Sequence, residues 1–297
     1  MKVSIMRETD SRTLKKCREI LGCEVKSMDP YGADIQVIYR KYEILPELKM
    51  IQTISAGVDH LDFSRVPEKV LVCSNAGAFA DPVAEHAFAL LLSVKKKVLD
   101  FEKQQKNGVY QKLPVSSLIG HTFGIFGYGG IGKSASKIAK SLRMHTIAYS
   151  RSRSVDENLD SFVNSPEELF RQSDVLLLSM PLNASTRGIV DGKLLSKFSG
   201  DTIVNVARAG VVNRDDMLQY LHQNQDKMYL TDVWWGEPDV KFPLPSNVLL
   251  TPHVGGINRD LEDEAVYRAC QNVRLFIEGK KTEHVVLREE YSTEKVS

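Results

Sequence analysis

The stretch Gly124-Ile125-Phe126-Gly127-Tyr128-Gly129-Gly130-Ile131-Gly132 decides how this chain is read. It holds G-x-G-x-x-G at Gly127, Gly129 and Gly132, a spacing that ordinary loops also produce. Context gives it weight. The apolar run Thr122–Phe126 leads in as a strand. Ile131–Leu142 leads out at helical spacing, with Ser134, Ala135 and Ala139 small enough for close packing. At such a junction Gly127 permits the tight turn, Gly129 lets a pyrophosphate approach the backbone, and Gly132 lets helix and strand pack closely. Gly130 and Ile131 open the helix, whose first N–H groups and partial positive charge suit phosphate. The stretch predicts a dinucleotide-binding turn.

The end of the next strand selects the cofactor. An acidic residue about 20 positions on would hold the ribose 2′-hydroxyl of NAD. Here Ser150, Arg151, Ser152 and Arg153 stand at that turn, and no carboxylate appears before Asp156. A 2′-phosphate carries roughly −1.5 to −2 charges, which an Asp would repel and a guanidinium fork would bind. Ser150, Arg151 and Ser152 are therefore expected to favour NADP over NAD.

Outward from the glycine turn, β-rich runs alternate with helical patterns, the signature of parallel sheets covered by helices. Val3–Met6, Ile35–Tyr39, Met50–Ile54 and Val70–Cys73 read as buried strands, with a helix over Ser11–Leu21. A long helix follows, with Asp81 as N-cap, Pro82 at its first position and Val83, Ala87, Leu90, Leu91 and Val94 as an apolar stripe. The run Lys95–Lys97 reads as a solvated face, and the polar segment Asp100–Pro114 as an arm. After the turn, strands are expected at Thr146–Tyr149, Val175–Ser179, Thr202–Val206, Met228–Thr231 and Val248–Leu250. A last helix, Asp260–Ile277, directs Leu261, Ala265, Cys270, Val273 and Ile277 to a core and stops at Gly279. The charged tail after Arg288 reads as frayed.

Composition is consistent with this α/β reading. At 297 residues the chain is about twice a ~150-residue single-domain prior, so two domains are expected. It is 42% hydrophobic and 26% charged, ordinary for a globular protein, and its net charge of +1 gives no reason to expect nucleic acid or a membrane surface as partner. Cys17, Cys23, Cys73 and Cys270 form no C-x-x-C pair and no histidines sit at ligand spacing, so no metal site is expected. Few cysteines, no apolar leader and no run long enough to span a bilayer point to the cytoplasm.

Three segments after predicted strands carry chemistry: Asn205-Val206-Ala207-Arg208-Ala209-Gly210, Asp232-Val233-Trp234-Trp235-Gly236-Glu237-Pro238 and Thr251-Pro252-His253-Val254-Gly255-Gly256. They bring an arginine, a carboxylate and a histidine to the sheet edge where α/β proteins bind ligands. With these segments, the glycine turn, Ser55-Ala56-Gly57-Val58-Asp59-His60-Leu61-Asp62 and Val83-Ala84-Glu85-His86, nearly the whole chain resembles the D-isomer-specific 2-hydroxyacid dehydrogenases. That family contains glycerate dehydrogenases, glyoxylate/hydroxypyruvate reductases and phosphoglycerate dehydrogenases.

The resemblance implies that Arg208 binds substrate, His253 is the acid/base and Glu237 is its carboxylate partner. It places the backbone of Gly57 and Val58 against the substrate carboxylate, Asp232 near the nicotinamide amide, and Pro181, Val206 and Ala207 along the cofactor. The residue chemistry agrees. A planar guanidinium matches the carboxylate and carbonyl of a 2-keto acid, and histidine gives and takes a proton near neutral pH. The implied architecture is two doubly wound parallel-sheet domains, flavodoxin-like for substrate and Rossmann for cofactor, with the active site in the cleft. Residues 1–93 and 266–297 would form the substrate domain and 94–265 the dinucleotide-binding domain. A homodimer built in part by the arm between Val94 and Ile119 is also implied.

Departures from the family pattern are Ser150 in place of the acidic ribose ligand, and the bulky Met180 and Trp234-Trp235, expected to reshape the pocket. Arg40 and Lys41 could hold a substrate phosphate. Phosphoglycerate-type and formate- or phosphite-type dehydrogenases, and nucleotide-sensing corepressor-like proteins on the same fold, are the alternative readings.

Overall fold

A computed structural model describes residues 1–258 and 261–291 of the chain. It divides into two compact units, Met1–Phe79 with Ile257–Ser297, and Ala80–Gly256.

The first unit opens with β1 (Lys2–Ile5), α1 (Ser11–Leu21), β2 (Glu24–Ser27), β3 (Ile35–Ile38), β4 (Met50–Thr53) and β5 (Leu71–Cys73). Its sheet is parallel throughout, in the order β2-β1-β3-β4-β5. The residues of β3 and β4 are all buried, so they read as buried strands although Gln36, Gln52 and Thr53 are polar. The β2 strand escapes such a reading because Glu24-Val25-Lys26-Ser27 buries only Val25 at the sheet edge.

The second unit contains α2 (Ala80–Lys95), α3 (Val98–Lys106), β6 (Thr122–Phe126), α4 (Gly130–Ser141), β7 (His145–Tyr149), β8 (Ser161–Phe162), α5 (Pro166–Gln172) and β9 (Val175–Leu178). It continues with α6 (Gly192–Leu195), β10 (Thr202–Asn205), α7 (Arg214–Gln223), β11 (Met228–Thr231) and β12 (Val248–Leu250). The sheet runs β12-β11-β10-β9-β6-β7-β8, all parallel, and chain order reverses between β6 and β9. Ligands of doubly wound sheets bind at the carboxyl ends of the strands flanking such a reversal. Finally α8 (Glu262–Ile277) belongs to the first unit and stops where Gly279 takes φ +67°. Its buried Ala265, Cys270 and Val273 pack with Cys17 and Leu21 of α1.

Several local expectations change. The boundaries between units fall after Phe79 and Gly256 rather than at 93 and 266. On the N-terminal side, the whole of α2 goes with the second unit because Ala84, Ala87, Phe88 and Leu91 pack against Ala135, Ala139 and Ile125. Asp81 is not a cap: α2 starts one residue earlier, and the carboxylate accepts a hydrogen bond from Ser134 Oγ at 2.6 Å. The lysine run is only partly solvated. Lys95 pairs with Asp201, Lys96 donates to Ser116 O, and Lys97 breaks the helix at φ +52°. The arm is helical up to Lys106 and buries no residue there. Residues 288–291 are tied down, with Tyr291 stacked 5.4 Å from Phe63 and Arg288 donating to Val66 O and Pro67 O. Asp260, where the last helix was expected to begin, and residues 292–297 lie outside the described residues. All four cysteines are free thiols, three of them buried and Cys23 half-buried. Among the described residues no helix is long and apolar enough to cross a membrane.

Candidate active site

The glycine turn joins β6 to α4, and each of its three motif glycines is explained by what a side chain there would meet. Gly127 has φ +100°, and a Cβ on it would stand 2.6 Å from Met180 N. The turn after β9 therefore presses directly on the turn after β6. At Gly132 a Cβ would stand 2.5 Å from Gly127 O and 3.0 Å from Ile125 Cγ2, so α4 packs onto its own strand without a side chain between. Nothing lies within 4 Å of a Cβ built on Gly129. That open space faces the N-terminus of α4, where Gly129 is the cap residue and no side chain caps the first N–H groups. The chain thus supplies the cradle, the donors and the partial positive charge that a pyrophosphate requires. Gly130 and Ile131 occupy the first helical positions.

At the end of β7 the turn Ser150–Arg153 is solvent-facing, with Ser150 half-buried and the other three exposed. Arg153 is committed elsewhere. It donates to Val163 O at 2.9 Å and Asn164 Oδ1 at 3.3 Å, and its guanidinium sits 5.7 Å from the Phe162 ring centre.

The three chemical segments leave neighbouring strands. Arg208 follows β10, Glu237 follows β11 and His253 follows β12, and these strands lie side by side in that order. His253 Nδ1 and Glu237 Oε1 are 2.9 Å apart. An ionised carboxylate only accepts, so Nδ1 carries the proton of that bond and Nε2 is left to exchange protons with a bound molecule. Glu237 Oε2 also receives the Trp234 N–H at 3.4 Å. Trp234 and Trp235 do not extend into open space. They cluster with Tyr229, with ring centres 5.0 to 6.3 Å apart, and Trp235 Nε1 donates to Val212 O at 3.2 Å. Met180 is likewise buried in the core of this unit. These bulky departures from the family pattern therefore pack into the core of the second unit.

Arg208 is half-buried, with NH1 donating to Ala207 O at 2.9 Å, while Asn205 Nδ2 donates to Arg208 O at 3.2 Å. Val206 and Ala207 are buried beside it, and Pro181 is exposed after β9. Asp232 is buried and heavily engaged. Its Oδ1 accepts from Thr251 Oγ1 (2.6 Å) and Val254 N–H (2.9 Å), and its Oδ2 accepts from Gly255 N–H (2.7 Å). Of about four acceptor positions on a carboxylate, these bonds take three and leave one on Oδ2. The second unit thus gathers Arg208, Glu237, His253, Asp232 and the glycine turn along one sheet edge, whereas Gly57 and Val58 belong to the first unit, just after β4. There Val58 is buried and its carbonyl accepts from Leu61 N–H at 3.0 Å. Among the described residues no group of three His, Cys, Asp or Glu side chains is placed to hold a metal ion.

His253 itself has φ +56°, the left-handed region, which is unusual for a residue with a side chain. Neither this conformation nor the contacts of Thr251 and His86 leave a mark in the residue spacing along the chain. Their signal is a set of contacts, not a spacing. The first unit also holds a cavity of about 480 Å³ lined by Met6, Tyr31, Arg40, Lys41, Tyr42 and Arg65 among others. The loop bearing Arg40 and Lys41 is anchored by Gln36, which exchanges two hydrogen bonds of 2.8 and 2.9 Å with the Glu43 backbone.

Known proteins resemble this chain. Residues 88–255 match the model of the D-isomer specific 2-hydroxyacid dehydrogenase NAD binding domain. A glyoxylate reductase from Pyrococcus horikoshii is 28% identical over 290 residues, covering 92% of this chain and 86% of its own. A hydroxypyruvate reductase from Thermotoga maritima is 31% identical over 217 residues, 70% of this chain and 71% of its own. The crystal structure of a glycerate dehydrogenase related protein from Thermoplasma acidophilum is 43% identical, with a TM-score of 0.71 across 93% of this chain and all of that one. The paired histidine and glutamate, on a sheet whose first turn is the glycine cradle, fit what these matches establish: the chain belongs to the D-isomer-specific 2-hydroxyacid dehydrogenases, nicotinamide-dependent oxidoreductases that act on CH–OH groups.

Proposed function

We propose that this protein reduces a small 2-keto acid of the glyoxylate or hydroxypyruvate type to the D-2-hydroxy acid, reversibly, with NADP(H) preferred over NAD(H). The observation that carries the reading is the 2.9 Å contact between His253 Nδ1 and Glu237 Oε1. It fixes the ring so that Nε2 can deliver a proton to the carbonyl oxygen as the carbon is reduced. Bound nicotinamide supplies the hydride. Arg208 binds the keto-acid carboxylate and polarises the carbonyl, with the backbone N–H groups of Gly57 and Val58 completing the carboxylate site. Gly127, Gly129, Gly130, Ile131 and Gly132 receive the pyrophosphate, while Pro181, Val206 and Ala207 line the cofactor. The open position on Asp232 Oδ2 takes the nicotinamide amide. Ser150, Arg151 and Ser152 bind the 2′-phosphate; Arg153, held by Val163 and Asn164, steadies their turn. The first unit is the substrate-binding part and the second the dinucleotide-binding part of a cytoplasmic homodimer. The exposed Val98, Leu99, Val109, Tyr110, Val115 and Ile119 of the arm suit burial against a second copy.

One observation favours a second reading, a phosphorylated keto acid. Arg40, Lys41 and Arg65 line the cavity of the first unit. Initial rates with glyoxylate, hydroxypyruvate and 3-phosphohydroxypyruvate, each with NADPH and NADH, test both readings. Fast NADPH-dependent turnover of an unphosphorylated acid supports the first, and strong preference for the phosphorylated acid supports the second. Equal or better rates with NADH refute the cofactor preference.

A further inference from the structure

His86 lies on α2, far in sequence from the Arg208, Glu237 and His253 segments, yet it touches both ends of the turn that carries His253. Its Nε2 is 2.8 Å from Thr251 Oγ1 and 3.4 Å from Asp232 Oδ1. At the other end, a Cβ added to Gly255 would stand 3.3 Å from His86 Cδ2 and 3.0 Å from Asp232 Oδ2, so the Gly255 backbone seats directly on both side chains. Proton bookkeeping fixes the direction of the chain of bonds. Thr251 has one hydroxyl hydrogen and directs it to the Asp232 carboxylate, so His86 Nε2 must donate to Thr251. The sequence His86 → Thr251 → Asp232 then closes on the backbone of Val254 and Gly255, whose N–H groups point at the same carboxylate.

We infer that His86 is a positioning residue for the His253 imidazole, acting through Thr251 and Asp232; the inference rests on the reading of His253 as the proton donor. Residue 253 is the one position of the turn in left-handed backbone, and it is bracketed by residues held from outside. Thr251 N–H donates to Thr231 O at 3.0 Å, His253 N–H folds back on Thr251 O at 3.0 Å, and Val254 and Gly255 are held by Asp232. Without the His86 bond the Thr251 hydroxyl is free to rotate away from Asp232. The carboxylate then loses its shortest partner, and the strained residue between them is less tightly held. Displacing a reacting group by about 1 Å costs on the order of a hundredfold in rate, so a partial loosening is visible in turnover.

The test uses the full chain with His86→Phe, His86→Gln and Thr251→Val, read by hydrogen exchange at the Val254 and Gly255 amides, by the Kd for NADPH, and by kcat with glyoxylate. Phe keeps a ring and removes the donor; Gln keeps an N–H donor. In His86→Phe and Thr251→Val, exchange at both amides is expected to quicken about tenfold and kcat to fall about thirtyfold, with Kd within about threefold. His86→Gln is expected to restore most of both. Thr251→Val, which swaps a hydroxyl for a methyl, carries the test if ring replacement unfolds α2. Unchanged amide exchange in the folded donor-lacking variants overturns the inference. So does an equal loss with Gln and Phe, or loosened amides with an unchanged kcat. If the unsubstituted protein reduces no keto acid while its amides respond as expected, the proposed function fails and the clamp on the turn stands.

Discussion

Two loops at the same edge of the second unit's sheet are held in place by opposite means. The turn after β6 is defined by missing atoms: Gly127 and Gly132 bring backbone against backbone at distances no Cβ could occupy. The turn after β12 is defined by added charge. One buried carboxylate, Asp232, gathers three hydrogen bonds and holds His253 in a left-handed conformation. Hydrogen bonds to a charged group contribute roughly 1.5–3 kcal/mol each, and a left-handed non-glycine residue costs about 1–3 kcal/mol, so the clamp outweighs the strain it maintains. A passive cradle suits a large ligand that arrives fully formed. A clamped and strained turn suits a single side chain that must keep its aim while a proton moves.

The sharpest way to break this comparison is to remove the side chain that the second turn carries. His253→Ala is expected to lower kcat for keto-acid reduction about a thousandfold, the usual scale for a general acid, while the Kd for NADPH stays within about threefold. Rates measured with this variant and the unsubstituted protein, both saturated in cofactor, decide it; near-normal turnover would remove His253 from the chemistry. The first turn is broken by one methyl group. Gly127→Ala forces a Cβ to 2.6 Å from Met180 N at φ +100° and should destabilise the fold by about 3 kcal/mol. Gly129→Ala meets nothing within 4 Å and should melt with the unsubstituted protein. It should nonetheless weaken NADPH binding. Calorimetric Tm values and cofactor titration of the pair separate packing from ligand approach.

The difference between the turns also explains what could be read from the sequence. Gly127, Gly129 and Gly132 are legible because close backbone contact leaves glycine as the only residue that fits, at fixed intervals set by helix and strand geometry. The buried strands β3, β4, β9 and β10 are legible because burial on both faces favours apolar residues, unbroken in Val175–Leu178 and interrupted in the others by buried polar residues such as Gln36, Gln52 and Asn205. Arg208, Glu237 and His253 could be placed at strand ends. Edge strands such as β2 and β8 could not be seen, since one buried residue or two paired residues leave no period to detect. The His86–Thr251–Asp232 chain was equally silent. Its members are 165 and 146 residues apart in sequence along the first link and from His86 to Asp232, and nothing in local spacing records a contact made through three different loops and helices.

Between the two turns stands the carboxylate that completes the second. Glu237→Gln keeps the shape of the side chain but exchanges one acceptor oxygen for an amide. It is expected to lower kcat about thirtyfold, because the ring loses the partner that fixes Nδ1 as donor. If Glu237 only packs against the Trp234–Trp235 turn, kcat stays near normal, since the Trp234 N–H can still find the remaining carbonyl oxygen.

The smallest expected effect concerns the turn after β7, where neither missing atoms nor a buried carboxylate sets the geometry. Two arginines stand there two residues apart, and Arg153 is fastened by Val163 O, Asn164 Oδ1 and the Phe162 ring. In the proposed function Arg151 meets the 2′-phosphate, while Arg153 spends its donors on the fold. Arg151→Asp places a negative charge beside a group that carries roughly −1.5 to −2 charges, and offers a ribose hydroxyl an acceptor instead. The ratio of kcat/KM for NADPH over NADH should then fall about tenfold, close to the worth of one charge-assisted hydrogen bond. Arg153→Ala should leave that ratio within about twofold, because it removes an anchor and not a ligand contact. Paired initial rates with the two cofactors read both variants, and an equal shift in the two would mean that the turn acts as a general positive patch rather than through one aimed side chain.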